Sequence, residues 1–183
     1  MVEISGILPA IRNMKDFDSL IESDQPLLII LESRISQLHH VVNYAKKKGK
    51  QVLIHADLIN GLKVDQYGME YLIRLVKVDG VISTRANVIS LAKKNGIVAI
   101  QRLFALDSVA LESNMKLIQK TKPDYIEVLP GIMPSILEKV ADQTGVPVIA
   151  GGLIRTREHV EDALASGATA VTTSNLDLWE VKK

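Results

Sequence analysis

The chain has 183 residues, 47% of them apolar and 23% charged, which suits a single ordinary globular domain with enough apolar sequence for a sizeable core. With 22 basic against 21 acidic side chains the net charge is +1, so a strongly polybasic or polyacidic protein is excluded, although a local patch is not. The absence of cysteine excludes a disulfide framework or a cysteine-based metal site and permits a reducing cytoplasm.

In chain order, short apolar runs alternate with amphipathic ones. "MVEISGILPAIRN" has neither the basic start nor the long apolar core of a signal peptide, and no apolar run approaches the ~18 residues of a membrane span. The first strand is expected at Ile4–Leu8. A helix follows with Met14, Phe17, Leu20 and Ile21 on one face. Leu27–Leu31 is unbroken apolar sequence, as a strand buried on both faces requires. "ISQLHHVVNYAKKK" is helical and stops at Gly49. The third strand is expected over Gln51–Asp57, then helix "GMEYLIRLVK" and a fourth strand at Asp79–Ser83. "RANVISLAKKNG" leads to a fifth strand at Ile97–Arg102, and Asp107 is placed to cap the helix "DSVALESNMKLIQKT". The sixth strand is Asp124–Leu129, and the helix after it begins with proline and ends with glycine. "VPVIA" is the seventh strand, Thr156 caps the next helix, Ala168–Thr173 is the eighth strand, and "LDLWEVKK" forms a short closing helix.

Eight strand–helix units without a linker predict an α/β domain spanning 1–183, a compact, parallel eight-stranded (β/α)8 or TIM barrel, with an open doubly wound sheet as the rival. In such a barrel the functional face lies at the carboxyl ends of the strands. The seventh strand ends in Gly151-Gly152 and the eighth in "TTSN", which brings Ser174 and Asn175 before the closing helix. Bare backbone, hydroxyls and a helix amino end together suit a phosphate group. The plainer reading is a tight turn with capping hydroxyls.

His55 and Asp57 are two apart on the expected third strand and so share a face turned into the mouth. They fit a polyol contact, an acid–base pair or part of a metal site, against the simpler case of a histidine satisfied by polar neighbours. With no further histidine at a strand end, no metal site is expected. Glu127 alternates with Ile126 and Val128 and faces inward, either to a ligand or to an ion pair with Arg102 or Arg85. Gln101 and Arg102 are adjacent, so one of them faces in. No lysine ends a strand, no phosphate-loop string occurs, and no opposed catalytic carboxylates are visible, so no catalytic residues are assigned. Lys46, Lys47 and Lys48, with Lys50 nearby, and Lys93 and Lys94 close two helices. The helix dipole alone favours lysine there, while contact with a nucleic-acid backbone is the sharper alternative.

The strings "LPAIRN", "HADLINGL", "ISTR", "IQRLFALDS", "PDYIEVLPG", "IAGGLIRT" and "AVTTSNLDLW", in this order, resemble the bacterial glycerol uptake operon antiterminator regulatory protein family. The resemblance runs from about Leu8 to Trp179 and implies a cytoplasmic TIM-barrel regulator. Such a regulator has glycerol 3-phosphate as its effector, needs no cofactor, and binds and stabilises the leader mRNA of a glycerol-catabolism operon so that termination is prevented. Gly151, Gly152, Ser174 and Asn175 then match the phosphate end, and His55, Asp57 and Glu127 fall in strings near the glycerol end. Lys46, Lys47, Lys48, Lys93 and Lys94 are the RNA candidates. The alternative is a barrel enzyme on a small phosphorylated substrate, of phosphosugar isomerase, lyase or glycerophosphodiester phosphodiesterase type. No membrane partner is expected, and a homo-oligomer is left open.

Overall fold

The computed structural model describes residues 3–179. Its main strands are β1 (Gly6–Ile11), β2 (Leu27–Ile30), β3 (Gln51–His55), β4 (Gly80–Ser83), β5 (Val98–Phe104), β6 (Tyr125–Leu129), β7 (Val148–Ala150) and β8 (Ala170–Thr173). They form a parallel barrel that closes in the order β1-β8-β7-β6-β5-β4-β3-β2. The helices between them are α1 (Phe17–Ile21), α2 (Ile35–Lys47), α3 (Gln66–Glu70), α4 (Ala86–Lys94), α5 (Ser108–Thr121), α6 (Pro134–Thr144) and α7 (Arg157–Ala165). The closed parallel sheet is the expected architecture, and the open sheet is excluded.

The chain packs as two compact units, one of Pro9–Ala99 and the other of Glu3–Leu8 with the chain from Ile100 onward. In the first, β2 is buried on both faces, and Leu38, Val42 and Ala45 of α2 are the fully buried side chains of that helix. Their spacing of three and four places them on one stripe, and burial of each large side chain contributes about 1.5–3 kcal/mol. In the second unit, Leu111, Met115 and Ile118 of α5 pack in one cluster with Leu103, Ile126 and Val128 of the sheet, and with Leu137, Val140, Val160 and Ala163 from α6 and α7.

Capping follows the sequence closely. Asp107 accepts the Ala110 N–H at 2.8 Å and Thr156 accepts the His159 N–H at 3.2 Å. Asp65 caps α3 through the N–H groups of Tyr67 and Gly68, and the Gly68 bond is the main reason its carboxyl is held below the ordinary value.

The differences from expectation are local. β1 begins at Gly6 rather than Ile4 and runs on through Pro9, because Ala10 and Ile11 register with Ile29 and Ile30 of β2. β3 ends at His55, and Ala56–Leu58 turn as a 3-10 helix, so Asp57 lies off the strand. β5 runs two residues further than expected, to Phe104. Ser33–Arg34 and Ile59–Asn60 form a small parallel bridge that the sequence did not announce. α3 passes into a π-helical segment, Tyr71–Val76, that ends on left-handed Lys77. The closing element is a 3-10 turn of three residues, Leu176–Leu178, anchored by the Trp179 indole N–H on the Thr173 carbonyl at 2.9 Å. The rest of the expected closing helix, 180–183, lies outside the described residues.

Several polar groups staple the amino-end side of the first unit. Asp79 accepts the Val52 N–H at 2.8 Å and pairs with Lys46 at 2.9 Å. Lys50, which is buried, donates to the carbonyls of Ser23 and Gln25. Gly80 begins β4 where a Cβ would stand 2.7 Å from the Val98 carbonyl oxygen and 2.7 Å from both Val98 Cβ and Leu53 Cδ2. Backbone cannot yield there as a side chain could, so Gly80→Ala is expected to destabilise the fold by about 1–3 kcal/mol in urea denaturation.

Candidate functional site

The carboxyl-end loops of the second unit are built on a buried carboxylate. Glu127 lies on β6 between outward-packed Ile126 and Val128, and is 2% exposed. Its Oε2 accepts from Arg102 Nε at 2.7 Å and its Oε1 from Thr172 Oγ1 at 2.7 Å. Of the two arginines considered from sequence, Arg102 is the partner, because β5 and β6 place it in register with Glu127. Gln101, its neighbour, turns to the opposite face and bonds Thr121 of α5.

This carboxylate explains the first of the paired glycines. A Cβ on Gly151 would lie 2.7 Å from Glu127 Oε1 and 2.7 Å from Thr172 Oγ1. The bare backbone at Gly151 is therefore required by a buried side chain below it. Gly131 is bare for a related reason, since its Cβ would stand 2.6 Å from the Gly151 nitrogen. Gly152 has φ +73° and Leu153 φ +60°, so two left-handed residues follow in succession. For leucine that conformation costs about 1–2 kcal/mol, and its side chain is 51% exposed, with little packing to offset the cost.

The loops after β7 and β8 are stitched together. Thr173 Oγ1 donates to the Ile154 carbonyl at 3.0 Å, and Asn175 Nδ2 donates to the Arg155 carbonyl at 3.0 Å. Asn175 also caps the 3-10 turn through the Asp177 N–H. Two expectations change here. A three-residue turn supplies no helix dipole to speak of, and the Asn175 side chain is engaged at both ends in shaping the loop. By contrast, the N–H groups of Gly152 and Ser174 meet no acceptor among the described residues, and Ser174 is exposed. Those two N–H groups can take an anion.

In the first unit, His55 ends β3 and is 3% exposed. Asp57 does not share its strand face as the alternation suggested, since the chain has already turned. The Asp57 carboxylate accepts from Ser83 Oγ at 2.8 and 3.0 Å, from the Thr84 N–H at 2.9 Å and from Thr84 Oγ1 at 3.2 Å, and Arg85 Nε stands 3.5 Å away. It organises the loop after β4. Arg12 and Glu32 pair at 2.7 Å on exposed strand ends. No group of three or more side chains suited to a metal ion occurs among the described residues.

The candidate lysines divide. Lys46 is held by Asp79 and the Lys77 carbonyl, and Lys48 by Glu22 at 3.3 Å, a hydrogen bond that raises its ammonium above the ordinary value. Lys93 and Lys94 are exposed at the end of α4. Lys47 and Lys94 have no acidic partner among the described residues. Sequence reasoning gave Thr172 no role of its own, and Ser83 and Thr84 none beyond closing the fourth strand. The available signal was alternation, which puts Thr172 on the same face as Ala170 and opposite Val171.

Residues 7–179 match the family model described as "Glycerol-3-phosphate responsive antiterminator". The crystal structure of the glycerol uptake operon antiterminator regulatory protein from Listeria monocytogenes strain 4b F2365 is 49% identical, with a TM-score of 0.94 over 96% of this chain and 95% of that one. A glycerol uptake operon antiterminator-related protein from Thermotoga maritima MSB8 is 32% identical, with a TM-score of 0.86 over 97% and 99%. The uncharacterized protein YgcP of Escherichia coli K12 is 34% identical over 178 residues, 96% of this chain and 93% of that protein. Deoxyribose phosphate aldolase from Aeropyrum pernix, 16% identical with a TM-score of 0.72 over 94% and 86%, shares the fold alone. Among the described residues no helix is long and apolar enough to cross a membrane.

The weight placed on Glu127 can be measured. Thr172→Val keeps the side-chain shape and leaves Glu127 Oε1 without its donor, so it is expected to cost about 1–3 kcal/mol of stability in denaturant unfolding. An unchanged midpoint would show that Thr172 does not support the carboxylate.

Proposed function

The chain belongs to the glycerol-3-phosphate responsive antiterminator family, and from that premise we propose that it is a cytoplasmic regulator that takes glycerol 3-phosphate as its effector. With the effector bound, it engages and stabilises the leader mRNA of a glycerol-catabolism operon. The observation that carries the ligand reading is the pair of N–H groups at Gly152 and Ser174, available on loops already fixed by the Thr173–Ile154 and Asn175–Arg155 bonds. Loops after the seventh and eighth strands are the recurring phosphate position of this fold. A loop held in shape before the ligand arrives binds at a smaller entropic cost.

The engagement of the two carboxylates supports a regulator over an enzyme. Asp57 and Glu127 are carboxylates at the strand ends, and each is engaged by several protein donors that give it a structural role. Lys47 and Lys94, exposed and without acidic partners among the described residues, are the better RNA contacts of the lysine set, with Lys93 beside them. Lys46 and Lys48 serve the fold first.

Two experiments test this. In a titration of labelled leader RNA over a salt series, glycerol 3-phosphate is expected to tighten binding, and added RNA to tighten ligand binding by the same factor. RNA affinity indifferent to the ligand, together with turnover of a phosphorylated compound, would establish the enzyme reading instead. For the phosphate position, Ser174→Asp places a carboxylate at an exposed point beside the proposed anion. It is expected to weaken glycerol 3-phosphate binding about 10-fold or more by calorimetry, with the melting temperature unchanged.

A further inference from the structure

Arg102 stands apart from the other ion-paired arginines at the strand ends. Arg12 and Arg85 pair with Glu32 and Asp57 but remain 62% and 60% exposed, whereas the Arg102 side chain is 10% exposed. Its neighbours on β5 fix its direction. Gln101 bonds Thr121 of α5 and Leu103 packs with Leu111, Met115 and Ile118, so Arg102 points away from α5, to the inner face. There Glu127 holds it through Nε alone.

A guanidinium carries five N–H donors in a planar fork. With Nε engaged, the four on Nη1 and Nη2 meet no protein acceptor among the described residues. Neither nitrogen is sealed from solvent, since the occluded unsatisfied side-chain atoms lie elsewhere. A nearly buried cation whose outer edge is both unmatched and reachable is costly unless something accepts from it. Glu127 also fixes where that edge lies. Its other oxygen bonds Thr172, two residues before Ser174, and abuts the Gly151 backbone.

We propose that the Nη edge of Arg102 binds the phosphate of the effector, completing with the Gly152 and Ser174 N–H groups a three-sided cradle for a phosphomonoester dianion. The proposal rests on the phosphate position given above. In it Glu127 is a positioning residue, which presents the arginine fork and sets Gly151 without touching the ligand. The planar fork matches two phosphate oxygens at once, which a lysine ammonium cannot do. Glycerol, which lacks the anion, gains nothing from it.

The test is calorimetry with glycerol 3-phosphate, inorganic phosphate and glycerol on the wild-type chain and two variants. Arg102→Lys keeps a cation beside Glu127 and removes the fork. Arg102→Gln combined with Glu127→Gln replaces the ion pair by two neutral amides, and it decides the matter if circular dichroism shows the first variant unfolded. The expected result is an affinity for both glycerol 3-phosphate and phosphate lowered about 10- to 100-fold in the folded variant. A folded variant that binds both as tightly as wild type overturns the role of Arg102 while leaving the cradle of Gly152 and Ser174 standing. A wild-type chain that binds neither overturns both.

Discussion

The carboxyl-end loops of the second unit depend on one buried charge. Glu127 is placed on the inner face of β6 by simple alternation, and a carboxylate there is tolerable only with donors on both oxygens. Arg102 and Thr172 supply them from β5 and β8. Removing one partner of such a pair commonly costs about 3–5 kcal/mol, because the charge left behind stays buried. From that requirement follow the glycine at 151 and, beside it, the glycine at 131 that lets the chain pass the Gly151 nitrogen. The left-handed step through Gly152 and Leu153 comes directly after.

The first unit uses the same device for a different loop. Asp57, just past the end of β3, gathers Ser83, Thr84 and Arg85 and so sets the start of α4. Asp79 and Lys50 do comparable work at the opposite strand ends, fixing the entry to β3 and the turn around Ser23 and Gln25. In both units these strand-end charges are committed to loop architecture. The fold also carries an aldolase, and likeness of fold says nothing about shared activity.

Much of this was legible in the sequence. The eightfold rhythm, the caps at Asp107 and Thr156, the inward Glu127 and its choice between two arginines all follow from periodicity and spacing. Choosing Arg102 needed register, which a sequence does not carry, since parallel neighbours are set by tertiary packing. The shared strand face expected of His55 and Asp57 is not found, because alternation does not extend past His55, where β3 breaks into a 3-10 turn. The paired glycines are legible as bare backbone, but the close approach to Gly151 comes from the buried Glu127 side chain, which no sequence spacing announces. The lysine runs looked uniform in sequence and separate in the structure according to whether Glu22 or Asp79 lies within reach.

The central claim is that an anion sits above Glu127, held by Gly152, Ser174 and the arginine that Glu127 presents. A crystal structure of the chain with glycerol 3-phosphate tests it most directly. The account predicts phosphate oxygens about 3 Å from the Gly152 and Ser174 nitrogens and from the Arg102 Nη atoms, with the Glu127 pairings intact. A phosphate bound elsewhere, with all three of those groups facing only water, would contradict it.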